Sequence, residues 1–174
     1  MIFDKEHLSN LEDILHFVKQ AGATEAIVAG GAVRDMLLGK PIKDIDVFYT
    51  GELSNVEKYF TVETIEDDES YEGTEFSVTH RHVTYEYCDY PIQLIKVDNL
   101  RKVVDIFGCN LSKTAFEEVG VVLFPDFMEG VRTHKVVIDN NCKTEEFAQR
   151  IKEKYSDWEV VDERIAGGII PIEF

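Results

Sequence analysis

Asp44 and Asp46 stand two residues apart in the run DIDVFY, and just upstream the apolar run EAIVA is stopped by the adjacent glycines Gly30 and Gly31. In an extended chain, residues two apart point to the same side, so both carboxylates can converge on one spot. Converging carboxylates need a counter-charge, and a divalent cation supplies it. Mg2+ is typically held by one or two carboxylates together with phosphate oxygens and water. Ions held in that way stabilise the attacking and leaving oxygens of an in-line phosphoryl displacement. A strand that ends in Gly-Gly and opens a helix lets backbone N–H groups come close to a phosphate, with positive potential from the helix end. Arg34 and Asp35 fall on the first turn of that helix. An arginine there pairs with a phosphate or braces the neighbouring aspartates.

These residues need a strand, a short helix and a second strand to hold them, and the sequence carries that order. EAIVAGG (25–31) reads as a buried strand, AVRDMLLG (32–39) as a two-turn helix closed by Gly39 and Pro41, and IDVFY (45–49) as the returning strand. Upstream, Leu8, Leu11, Ile14, Leu15 and Val18 recur at three- and four-residue steps, which predicts an amphipathic helix over residues 5–21. Downstream, residues 54–60 predict a short helix behind a capping serine, and the acidic stretch 63–70 a solvated loop. Residues 76–87 and 91–97 read as a hairpin joined around CDY, and 97–107 as a helix. Residues 119–128 and 134–139 read as further strands. A helix is predicted over 143–158, with Thr144, Glu145 and Glu146 at its start and Lys152 and Lys154 toward its end. The apolar tail 166–174 must pack or associate, and no repeat or linker divides the chain, so one domain over 1–174 is expected.

The charge balance narrows the partners. There are 34 acidic residues against 18 Lys and Arg, a net charge of −16. A protein that grips a polynucleotide does so by neutralising phosphates with a basic face, so autonomous nucleic-acid binding is not expected. Small phosphorylated molecules, metal cations and basic protein surfaces suit this field. Cys88, Cys109 and Cys142 form no CxxC pair, and the five histidines show no HExxH spacing, which argues against a zinc site or a disulfide framework. The first ten residues lack the apolar segment of a secretory signal, and no apolar run approaches the ~20 residues of a membrane span. A cytoplasmic protein is expected.

The run GGAVRDMLLGKPIKDID resembles, in order and spacing, the GGxVRDxLLGxxxxDxD signature of the head domain of poly(A) polymerases and CCA-adding enzymes, within the polymerase β-like nucleotidyltransferase superfamily. Gly30, Gly31, Val33, Arg34, Asp35, Leu37, Leu38, Gly39, Asp44 and Asp46 match. The resemblance extends more faintly over residues 20–116, with Phe107 and Asn110 echoing a later family segment. The strand YPIQLIKV followed by VDIFGCN is also similar to small nucleotidyltransferase-like proteins of bacteriophages. The resemblance implies an α/β (α+β) nucleotidyltransferase fold, a small mixed sheet with helices mainly on one side. It also implies a Mg2+-dependent transfer of a nucleoside monophosphate from an NTP such as ATP to a hydroxyl acceptor: a small molecule, a protein or an RNA end. On that reading Asp44 and Asp46 are catalytic and hold the metal, while Gly30, Gly31 and Arg34 bind the nucleotide.

Two departures qualify the resemblance. Where the family has a third carboxylate on a later strand, this chain has Gln93. Asp89, Asp98 and Asp105 are the acids that can fill the space, and Asp105 is the preferred substitute. Lys113 is a candidate for the triphosphate. The chain also continues for only about 60 residues past the resemblance, without the long helical regions that hold tRNA in CCA-adding enzymes, so tRNA is not carried over as substrate. The alternative is an interaction protein that keeps the fold without the reaction, for instance a phage-encoded factor acting on a host protein. His80 and His82 share one face of a strand and suit a metal or a triphosphate, or simply an exposed hairpin face, and Tyr155 and Trp158 read as packing on the last helix.

Overall fold

The computed structural model describes residues 1–67 and 79–164. Helix α1 (Lys5–Gln20) starts where the Asp4 side chain accepts from the backbone N–H of His7, and it buries Leu11, Ile14, Leu15 and Val18 along one stripe. Strand β1 (Ala23–Ala29), helix α2 (Gly31–Leu37) and strand β2 (Ile45–Gly51) follow, the strand–helix–strand unit expected. Strands β3 (Thr61–Asp67), β4 (Thr79–Tyr85), β5 (Cys88–Lys96), β6 (Thr114–Glu117) and β7 (Gly120–Leu123) join them. Among the described residues the main sheet has seven strands in the order β3-β4-β5-β2-β1-β6-β7. β2 and β5 run parallel, and the other neighbours are antiparallel. Helix α3 (Pro125–Thr133), strand β8 (Lys135–Ile138), helix α4 (Glu145–Lys154) and strand β9 (Glu159–Asp162) complete the described chain, with β8 and β9 paired in parallel.

Alternation along the strands gives the sheet two apolar faces. Val28, Val47 and Leu94 pack with Ile14 and Val18 of α1, Val33 and Leu37 of α2, Phe127 of α3 and Ile151 of α4. The helices therefore gather on one side, as expected. Ile27, Ala29, Phe48 and Ile95 face the other way and are covered by Val103, Leu100, Ile106 and Phe107. Each fully buried Leu, Ile or Phe contributes roughly 1.5–3 kcal/mol on transfer from water.

The cover on that second face corrects the predicted helix over 97–107. It consists of two short 3-10 turns, Leu100–Lys102 and Val104–Ile106. Leu100, Val103 and Ile106 recur every third residue, which is the 3-10 period and not the α period. The helix expected over 54–60 is likewise a single 3-10 turn, Val56–Lys58. The acidic stretch starting at residue 63 is strand β3 as far as Asp67, its backbone paired with β4 while Glu63 stays exposed at the sheet edge. The hairpin closes at the Tyr85–Cys88 pair, so it turns on Glu86 and Tyr87, before CDY. The strand read over 119–128 ends at Leu123, because Pro125 occupies the start of α3, where a missing N–H costs nothing. α4 stops at Lys154, four residues short of the predicted end at 158, and β9 follows it. Residues 68–70, 76–78 and the apolar tail 166–174 lie outside the described residues. No helix among the described residues is long and apolar enough to cross a membrane.

Candidate active site

The junction of β1 and α2 is built on two glycines with different duties. Gly30 caps α2 at φ 87° and ψ −135°, a conformation that L side chains avoid. Its N–H donates to the Thr114 carbonyl at 3.1 Å, and a Cβ there would sit 3.4 Å from the Phe107 ring. Gly31 makes room instead: a Cβ would lie 3.2 Å from Nη2 of Arg34.

That clearance lets the Arg34 side chain fold back into the protein, where it is only 5% exposed. Nε and Nη2 donate to Oδ1 and Oδ2 of Asp35 at 2.8 and 3.2 Å, and Nη1 donates to Ser112 Oγ at 2.8 Å. Asp35 is 2% exposed and accepts two further bonds, from Lys154 Nζ at 2.7 Å and Tyr155 Oη at 3.0 Å. Burial works against ionising Asp35, but Arg34 and Lys154 overcome it and hold the carboxyl below its ordinary range. Burial pushes the Tyr155 hydroxyl up, and the bond to Asp35 adds to the shift. Arg34 is thus bonded to Asp35 and Ser112 while it also lines the cleft.

Asp46 lies on β2 and pairs in register with Gln93 of β5, while Asp44 stands one residue before the strand. Both are half-buried. They line a cleft of about 960 Å³ together with Gly30, Gly31, Arg34 and Gln93. Among the described residues no group of three or more His, Cys, Asp or Glu side chains is placed to hold a metal ion. Two carboxylates without a third protein ligand suit Mg2+ completed by substrate phosphates and water, and do not suit an all-protein cage.

The opposite wall was not anticipated from sequence. Lys143, Phe147, Arg150 and Lys154, spaced by three or four residues on and just before α4, all reach the cleft, and Lys40 and Lys43 enter from the loop before β2. With Arg34 the lining holds six cationic residues against the four acids Asp35, Asp44, Asp46 and Glu153. The cleft thus reverses the sign of a chain whose net charge is −16. The signal in the sequence was the one-face spacing of 143, 147, 150 and 154, in a segment read there only as a helix.

The remaining candidates fall elsewhere. Asp105 is exposed on the turn beside Ile106 and Phe107, which line the cleft while its carboxylate does not. Asp89 and Asp98 are also exposed and outside the lining. Lys113 is held by Asp126 at 2.8 Å, away from the cleft. Asn110 is architectural: its Oδ1 accepts from the backbone N–H of Val137 at 2.8 Å and its Nδ2 donates to the Lys135 carbonyl at 3.0 Å, pinning β8. Tyr155 is packed as expected, but its hydroxyl also closes the Asp35 network.

Comparison with known proteins decides the family. The model of the family described as Gabija anti-defense 2 family protein matches residues 2–134 of the 174. The chain belongs to the Gabija anti-defense 2 family. This family member is also similar to the CCA-adding enzyme of Streptococcus pneumoniae strain R6, 28% identical over 137 residues that cover 62% of the chain and 34% of the enzyme. The chain therefore spans about a third of the length of the curated relatives it matches. Among solved structures, the Bacillus stearothermophilus CCA-adding enzyme in complex with CTP superposes with a TM-score of 0.57 at 18% identity, covering 91% of this chain and 42% of that one. The Thermotoga maritima CCA-adding enzyme complexed with tRNA gives 0.61 at 15% identity, covering 91% and 40%. A CCA-adding enzyme with ATP gives 0.62 at 15% identity, with the same coverage of 91% and 40%. At such identities the likeness is one of fold, and it confirms that this Gabija anti-defense 2 family chain has the nucleotidyltransferase head-domain architecture.

Proposed function

We propose that this protein transfers a nucleoside monophosphate from an NTP to a hydroxyl acceptor. The observation that carries the reading is the cleft itself, in which Asp44 and Asp46 face a cationic wall on a strongly acidic protein. A triphosphate lies between Lys40, Lys43, Lys143 and Arg150, with the Gly30–Gly31 turn at its end. Asp44 and Asp46 would hold Mg2+ with the substrate phosphates, and the ion would supply neutralisation of the charge that develops on the phosphate oxygens. Arg34 and Asp35 keep the loop that presents the glycines rigid. Phe147, whose ring lies 5.8 Å from the Arg150 guanidinium, offers an apolar surface for the base. Catalysis in such a site is mostly positioning and charge neutralisation. The name of the family supports an anti-defense role for the transfer, and the names of the neighbours that bind CTP and ATP support an NTP as donor.

The test is incubation of the purified protein with each α-32P-labelled NTP and Mg2+ in bacterial lysate. Label moves to an acceptor with the wild type and not with the Asp44→Asn/Asp46→Asn double variant. Equal labelling by both proteins refutes the assignment of the acid pair. Gln93, in the place of the family's third carboxylate, favours a second reading in which the fold serves only to bind a host protein. Thermal shift separates the two: NTP with Mg2+ raises the melting temperature relative to EDTA on the first reading, and no NTP shifts it on the second.

A further inference from the structure

If Gln93 stands where a carboxylate is expected, another group must receive the proton of the acceptor hydroxyl, because a carboxamide has no basic site near neutrality. The strand register supplies a candidate. β5 lies between β2 and β4, with Gln93 paired to Asp46 on one side and to His82 on the other. Directly paired residues on neighbouring strands share a face, so Asp46, Gln93 and His82 form one row across three strands. The row continues to Thr64 on β3.

This row marks a boundary on the face it occupies. One step along, Phe48 of β2 and Ile95 of β5 belong to the second apolar core, each 1% exposed. At the row itself the side chains turn polar, and Asp46, Gln93 and His82 are all half-buried. Asp46 and Gln93 line the cleft, and His82 flanks Gln93 on the side away from the acid pair. Adjacent strands lie about 4.8 Å apart, so His82 and Asp46 are separated by roughly 10 Å at the backbone, with Gln93 between them. Of the carboxylates considered for that place, Asp35 is filled by four donors and Asp105 faces solvent.

We propose that His82 is the general base of nucleotidyl transfer, taking the proton of an acceptor hydroxyl that Gln93 orients between it and the acid pair. This rests on the transfer reading above. In the step, the acceptor O–H bond breaks and its proton passes to an imidazole nitrogen of His82. The oxygen forms a bond to the α-phosphorus, and the α-phosphorus–oxygen bond to pyrophosphate breaks, releasing pyrophosphate. The imidazolium then returns its proton to water. The Gln93 amide, both donor and acceptor, fixes the hydroxyl's direction without taking its proton.

The experiment measures transfer of label from each α-32P-labelled NTP, with Mg2+ and the full chain, to the acceptors of a bacterial lysate. His82→Ala loses about 10²–10⁴-fold in kcat, while KM for the NTP and the thermal shift with Mg2+ and NTP stay as in the wild type. Added imidazole restores part of the rate to His82→Ala and none to Asp46→Asn. Gln93→Glu, which returns a carboxylate to the row, restores transfer to His82→Ala. If His82→Ala does not fold, His82→Gln takes its place in each arm. An active wild type whose His82 variants keep its rate overturns the base assignment alone, as does a loss that neither imidazole nor Gln93→Glu repairs. A wild type that transfers no more label than Asp44→Asn/Asp46→Asn overturns the transfer reading and the base with it.

Discussion

Replacing Asp35 by asparagine tests the network that holds the β1–α2 loop. The change keeps the shape of the side chain and removes its charge. In the protein Oδ1 accepts from Arg34 Nε and Tyr155 Oη, and Oδ2 accepts from Arg34 Nη2 and Lys154 Nζ. With the NH2 group in the place of Oδ2, two donors face a donor; in the place of Oδ1 only Arg34 Nε does, because the Tyr155 hydroxyl can turn and accept. Hydrogen bonds to charged groups are worth about 1.5–3 kcal/mol each, so one or two lost bonds come to about 1.5–6 kcal/mol. Breaking a buried ion pair from one side costs about 3–5 kcal/mol, within that range, since Arg34 is left 5% exposed without its counter-charge. Urea unfolding of Asp35→Asn should show that loss, equivalent to a fall of about 6–20 °C in Tm for a protein of this size. Arg34→Met/Asp35→Leu, which removes both charges, should recover much of it. An Asp35→Asn protein within about 1 kcal/mol of the wild type would mean the four-donor arrangement is not what holds the loop, and the reasoning fails.

Other consequences follow from the same geometry. Gly30→Ala forces an L residue to φ 87° and should cost about 1–3 kcal/mol in urea unfolding, whereas a cost near zero would place the strain elsewhere. Asp162 is bonded by Arg164 and Lys152, which lower its pKa from 3.8 to about 2. Its contribution to stability is therefore full above 3.8 and lost as pH falls through about 2. Melting curves should show a steeper acid loss for the wild type than for Asp162→Asn in that window, and parallel curves would refute the assignment.

What could be read from the sequence was what is local. Gly30, Gly31, Arg34, Asp35, Asp44 and Asp46 sit on one strand–helix–strand unit, so their spacing alone predicts that they converge. The partners of Asp35 at the end of α4 lie 119 and 120 residues away, and no local pattern announces them. The same limit explains Asp105: order along the chain put it near the site, and the 3-10 turn that seals the sheet points it outward. The segment 97–107 was misread because covering a flat sheet face needs apolar residues at every third position, close enough to helical spacing to be mistaken for it. The row from Asp46 to His82 depends on strand order and register, which emerge only when β5 is inserted between β2 and β4.

The link between Asp35 and α4 has a temporal side. Asp35 cannot meet Lys154 until 119 further residues have been made. At about 5–20 residues per second of synthesis, that is a wait of roughly 6–24 s. Throughout it, the acid pair and the glycine turn already exist on the nascent chain, but the wall that faces them does not. A ribosome-bound intermediate therefore carries half a cleft until α4 has been made.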